Sequence, residues 1–79
     1  MNKEEIVKKL NKIFTNVFGR DIQVTYEMTA DDIPEWDSIA HMNLILSIES
    51  EFGISFALGE IQDLKNVGEM ISLIEEKTK

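Results

Sequence analysis

A chain of 79 residues, 43% hydrophobic and 29% charged, has room for one modest core and is globular rather than disordered in composition. The absence of cysteine excludes a disulfide framework, a thiolate metal centre and a thiol nucleophile. Eight Lys and Arg against 15 Asp and Glu leave a net charge of −7, which repels nucleic acid and anionic lipid and attracts basic protein patches.

In chain order, the first expected element is a helix from Lys3 to Phe18. Ile6, Val7, Leu10, Ile13, Phe14, Val17 and Phe18 recur at helical spacing and form one broad apolar face. Gly19 is a natural stop, because glycine takes the left-handed conformation at no steric cost. This helix is read as core.

From Arg20 to Asp37 the helical period is lost. Ile22, Val24 and Tyr26 alternate as an extended piece would, yet no second strand is available to pair with it. Met28 and Ile33 are expected to pin this loop to the core, Thr29 to Asp32 to make one turn, and Pro34 to hold Ile33 extended. A connection this long inside a small domain tends to be functional. It delivers Trp36 and Asp37 to the start of the next element.

A second helix is expected from Ser38 to Phe52, ending at Gly53. Ile39, Met42, Ile45 and Leu46 lie on one side, Leu44, Ile48 and Phe52 on a neighbouring one, an arc wide enough to predict packing on more than one flank. Ala57 to Ile61 reads as a short turn weakened at Gly59 by about 1 kcal/mol relative to alanine. The last helix opens at Asn66 with Glu69 in capping-box register, and Val67, Met70, Ile71, Leu73 and Ile74 give its core side. The layout is all-α: residues 1–79 as a single domain of three main helices, one short helix and a long first loop.

The stretch Trp36-Asp37-Ser38-Ile39-Ala40-His41-Met42 stands where that loop becomes the second helix. A serine there holds its hydroxyl in solvent beside unpaired N–H groups, and the positive helix end favours an attached phosphate. No Lys or Arg occurs between Arg20 and Lys65, an interval holding Glu35, Asp37 and eight other carboxylates. The region around Ser38 is therefore suited to steering a basic partner.

With this layout the chain resembles the acyl carrier protein family over nearly its whole length. That family is a four-helix bundle whose long first loop ends in Asp-Ser-Leu, matched here by Asp37-Ser38-Ile39. Glu49-Ser50-Glu51-Phe52-Gly53-Ile54 is similar to the acidic run closing the family's second helix, and Leu64-Lys65-Asn66-Val67 to the entry of its last. The resemblance implies that Ser38 receives a covalent 4′-phosphopantetheine arm from coenzyme A through a phosphopantetheinyl transferase. The arm would carry acyl groups as thioesters, loaded by a ligase or transferase and passed to downstream synthases of fatty acid, polyketide or other secondary-metabolite synthesis. An aminoacyl or peptidyl cargo is the alternative. Asp37, Ile39 and Met42 would be partner contacts, with no catalytic residue and no metal in the chain itself. Trp36, Ala40, His41 and Asn43 depart from the fatty-acid-synthesis carriers and are more like stand-alone carriers of accessory pathways. With no apolar run of membrane-spanning length and no signal-peptide core, the expected protein is a soluble cytoplasmic monomer.

Competing readings rest on the same residues. Asp37, Ser38 and His41 superficially resemble a nucleophilic triad, but nothing supplies an oxyanion hole. A module of the same fold without the arm is opposed by the intact Asp37-Ser38 pair. Asp31-Asp32 lacks the spaced ligands of a calcium loop and reads as a solvated turn. Trp36 reads as a loop anchor or a cover over the helix start. Met42 and Met70 are read as core filling in preference to shelter for an acyl chain.

Overall fold

The computed structural model describes residues 1–79. The helices are α1 (Lys3–Phe18), α2 (Ser38–Phe52), α3 (Leu58–Gln62) and α4 (Val67–Lys77), with a 3₁₀ turn at Ala30–Asp32 inside the first loop. No strand forms, and the architecture is the all-α four-helix arrangement read from the sequence.

Each long helix begins on a side chain that binds a free backbone donor. Asn2, Asp37 and Asn66 cap α1, α2 and α4, accepting from Glu5, Ala40 and Glu69 at 2.9, 2.8 and 2.8 Å. Gly19 and Gly53 end α1 and α2 with φ of 71° and 66°, the left-handed geometry their lack of a Cβ permits. The box at α4 is offset: the Glu69 carboxylate accepts from the Lys65 N–H at 3.1 Å instead of from Asn66.

The core joins Ile6, Leu10, Ile13 and Phe14 of α1 to Leu44 and Ile48 of α2 and Val67, Met70, Ile71 and Ile74 of α4. Ile22, Val24 and Ile33 add the loop to this core, while Met28 is only half-buried and Tyr26 is exposed. The alternation at Ile22 and Val24 therefore reports burial without a sheet. In place of a partner strand, α1 side chains take the loop's backbone donors. Thr15 Oγ1 accepts from Ile22 N–H at 3.2 Å and Asn11 Oδ1 from Val24 N–H at 2.8 Å. Farther on, the loop turns acceptor. The carbonyls of Met28 and Tyr26 take the N–H groups of Val67 and Gly68 at 2.9 and 2.8 Å, satisfying donors that the start of α4 leaves without helical partners.

The wide apolar arc of α2 is not packed all round. Leu44, Ile45 and Ile48 are buried, but Ile39, Met42 and Leu46 are 75%, 45% and 58% exposed. Met42 is thus not core filling, whereas Met70, at 1% exposure, is. The physical reason is that α1 packs along one flank of α2 only, and α3, with no buried residue, is too short to cover the other.

Candidate functional site

Ser38 is the first residue of α2 and is exposed. Beside it, Asp37 caps the helix twice: its carboxylate takes the Ala40 N–H at 2.8 Å and its carbonyl takes the His41 N–H at 2.9 Å. The Ser38 and Ile39 N–H groups remain for solvent or an anion at the positive helix end. One donor of that end is already spent on Asp37, so the site is less open to phosphate than the sequence implies.

The approach to Ser38 is fixed by the loop. Trp36 N–H donates to the Ile33 carbonyl and Asp37 N–H to that of Glu35, each at 3.0 Å. Arg20 grips the Glu35 carboxylate with two hydrogen bonds, 2.7 and 3.2 Å, and that contact holds the Glu35 carboxyl below its ordinary range. Both side chains are close to half exposed, so the pair contributes more to orientation than to stability. The Trp36 indole meets Phe14 edge-on at 5.5 Å and Phe18 at 5.9 Å, which ties the loop to α1. It is the expected anchor.

On its other side the indole Nε1–H donates to His41 Nδ1 at 3.1 Å, the rings lying 25° from parallel. A neutral imidazole accepting at Nδ1 carries its proton on Nε2 and can only donate there. With Asp37 turned to the Ala40 N–H and His41 to Trp36, the three residues do not make a triad. Asp32 accepts from the Thr29 N–H at 2.9 Å and so closes a capping box on the 3₁₀ turn.

An open cleft of about 510 Å³ runs from Ser38 between α2 and α3, bounded by Trp36, His41, Met42, Leu58, Ile61 and Leu64. The wall formed by α3 is held mainly from outside. Glu60 pairs with Lys77 of α4 at 3.0 Å and accepts the Ala57 N–H at 2.8 Å, contacts that lower the Glu60 carboxyl below its usual range. Outward from Ser38, Ile39, Met42 and Leu46 share a strip of α2, and Leu58 on α3, 68% exposed, lies across the cleft from Met42. The sequence places Leu46 on the apolar side of α2 without assigning it to the site, and it gives no sign of Leu58. Their helical spacing and apolar character are the same for a core position, and only the absence of a covering element separates the two.

Residues 35–74 match the family described as a phosphopantetheine attachment site. The chain is 34% identical to an acyl carrier protein of Thermotoga maritima, with 96% of this chain and 95% of that protein covered. It is 33% identical to an acyl carrier protein of Streptococcus pneumoniae, over 94% of this chain and 97% of that one. Among solved structures, the holo acyl carrier protein of Geobacter metallireducens superposes with a TM-score of 0.85 at 50% identity, covering 90% of this chain and 83% of that one. The crystal structure of the Thermotoga maritima acyl carrier protein gives 0.84 at 26% identity, covering 98% and 91%.

Proposed function

The chain belongs to the acyl carrier protein family, whose members are carriers rather than enzymes and bear 4′-phosphopantetheine, and from that premise we propose that Ser38 is the attachment residue. The observation that carries the proposal is an exposed hydroxyl on the first residue of α2, inside the family's matched segment. The surroundings fit the group. Two free N–H groups lie at the helix end, the cleft beside Ser38 has an apolar side, and Ser38 itself is exposed. When bound, the arm's thiol holds acyl groups as thioesters.

The chain's own residues supply presentation. Asp37 sets the start of α2, and Trp36 and Glu35 fix the loop that leads to it. A tethered cargo then reaches each partner at high effective concentration. A phosphopantetheinyl transferase and enzymes of acyl biosynthesis are the partners the family implies. We assign Asp37, Ile39 and Met42 to the surface they touch: a carboxylate for a basic partner, beside exposed apolar side chains that such a contact would cover. The cargo is a fatty or polyketide-type acyl group, and residues 1–79 act as one monomeric domain in the cytoplasm. No helix is long and apolar enough to cross a membrane.

The test is an intact mass after incubation with coenzyme A and a broad-specificity phosphopantetheinyl transferase. One phosphopantetheine adduct on the wild-type chain, absent from Ser38→Ala, supports the assignment. An adduct that persists on Ser38→Ala, or none on the wild type, overturns it.

A further inference from the structure

His41 is the only histidine of the chain and Trp36 its only tryptophan, and the 3.1 Å bond from the indole Nε1–H to Nδ1 joins the two. An indole nitrogen donates and never accepts, so the bond exists only while the imidazole keeps an unprotonated nitrogen. Protonation turns both ring nitrogens into donors, and no rotation of the ring then restores an acceptor. We infer that His41 is an acid-released catch on the loop end that leads to Ser38: neutral, it holds the indole, and charged, it lets it go. Histidine is the side chain whose charge ordinarily changes between about pH 5 and 8, above the range in which Asp and Glu titrate.

The surroundings leave the ring free to take that proton. His41 is half-buried and lines the open cleft at Ser38 as well as a smaller hollow of about 80 Å³. The other ionisable side chains lining these spaces are Asp37 in the first and Lys65 in the second. Asp37, already accepting from the Ala40 N–H, favours the imidazolium by its charge, and Lys65 opposes it. The short helix α3 and α4 present Leu58, Ile61, Gln62 and Met70, none of which titrates. Behind the indole stand Phe14 and Phe18 of α1, and the neighbouring Glu35 carboxylate is taken by Arg20. No carboxylate bonds the imidazole, so no ion pair replaces the indole bond when the ring is charged. Release is limited in extent, because Phe14 and Phe18 keep the indole against α1. The loss of one net hydrogen bond raises local opening of the loop end by about five-fold. Ser38 is then presented with a fixed approach near neutrality and a looser one in acid.

The experiment compares wild type with His41→Gln, whose amide oxygen accepts the indole N–H at every pH, and with His41→Lys, which offers only donors. Nuclear magnetic resonance follows the His41 ring, the indole N–H and backbone amide exchange from about pH 8 to about pH 5.5. In wild type the indole signal should move with the same midpoint as the His41 ring, toward its position in His41→Lys. In His41→Gln it should stay in place. Amide exchange at Trp36 and Asp37, taken relative to His41→Gln at the same pH, should rise about five-fold across the range. An indole signal that stays put while the His41 ring titrates overturns the catch. So does a transition of equal size in His41→Gln, which assigns the change to a neighbouring carboxylate. The comparison of wild type with His41→Gln decides the matter even if His41→Lys does not fold.

Discussion

Trp36 and His41 are joined by a 3.1 Å hydrogen bond from the indole Nε1–H to Nδ1, which links the end of the first loop to the first turn of α2. The same indole packs against Phe14 and Phe18, so a single side chain sets the position of Ser38 relative to α1. A loop of this length, without a strand to pair with, needs such a fixed point if the attachment residue is to have a defined geometry.

Removing either partner has a distinct signature. Trp36→Ala deletes a half-buried aromatic ring and is expected to cost about 2–3 kcal/mol, below the 3–5 typical of fully buried rings. His41→Ala loses one hydrogen bond and is expected to cost about 1 kcal/mol. Since Trp36 is the sole tryptophan, its emission in His41→Ala should shift to the red as the indole N–H turns to water. Urea unfolding with fluorescence checks both; unchanged emission and midpoint in His41→Ala would show that the bond does not hold the loop.

Along α2, neighbouring apolar residues are predicted to behave in opposite ways. Ile39→Asn, Met42→Gln and Leu46→Gln alter exposed positions and should each change stability by no more than about 0.5 kcal/mol. Leu44→Ala and Ile48→Ala open cavities in the core and should each cost about 2–5 kcal/mol. The exposed set should instead slow modification by the transferase at constant fold. Equal transferase rates across the exposed set would remove Ile39 and Met42 from the partner surface.

The acid limb of stability should carry the mark of Glu35 and Glu60. Both carboxyls are held below the ordinary range, Glu35 by the hydrogen bond from Arg20 and Glu60 by the Ala57 N–H and then Lys77. A group whose folded value is depressed binds its proton more readily in the unfolded chain. Its contribution is therefore present above the usual carboxylate range and is lost as the pH falls through the lower folded value. Glu60→Gln should flatten the loss of thermal midpoint over that acid interval, by a small amount because the groups are partly exposed. A slope identical to the wild type would show that the Glu60 contacts do not persist in solution.

Much of this arrangement is legible in the residues. Apolar spacing at Ile6 to Phe18, the stop at Gly19, Asp37 ahead of Ser38 and the cap at Asn66 are local signals, and the structure keeps each of them. Less legible is anything that depends on what lies opposite. The strip at Ile39, Met42 and Leu46 is as apolar as a core face, and its exposure follows from the shortness of α3. The His41 tautomer depends on Trp36, five residues away along the chain but adjacent only once the loop is anchored. Gly68 gave no signal at all, since its role lies in a contact with a residue far back in the chain.

That contact makes the last prediction, which turns on sign. Alanine normally stabilises a helix interior by about 1 kcal/mol relative to glycine. At Gly59 in α3 nothing lies within 4 Å of where a Cβ would stand, so Gly59→Ala should stabilise the protein by up to about that amount. At Gly68 the added Cβ would stand 2.9 Å from the Tyr26 carbonyl oxygen, a backbone atom that accepts the Gly68 N–H at 2.8 Å. Backbone cannot swing aside as a flexible side chain does, so the loop must retreat from α4 and strain or lose the hydrogen bond. Overpacking of this kind costs about 1–3 kcal/mol, more than the helical gain at its upper end. Gly68→Ala should therefore unfold at lower urea than the wild type and Gly59→Ala at higher urea. Amide exchange should quicken at position 68 in the first variant alone. If Gly68→Ala proved as stabilising as Gly59→Ala, the loop would not be seated on α4 through Tyr26.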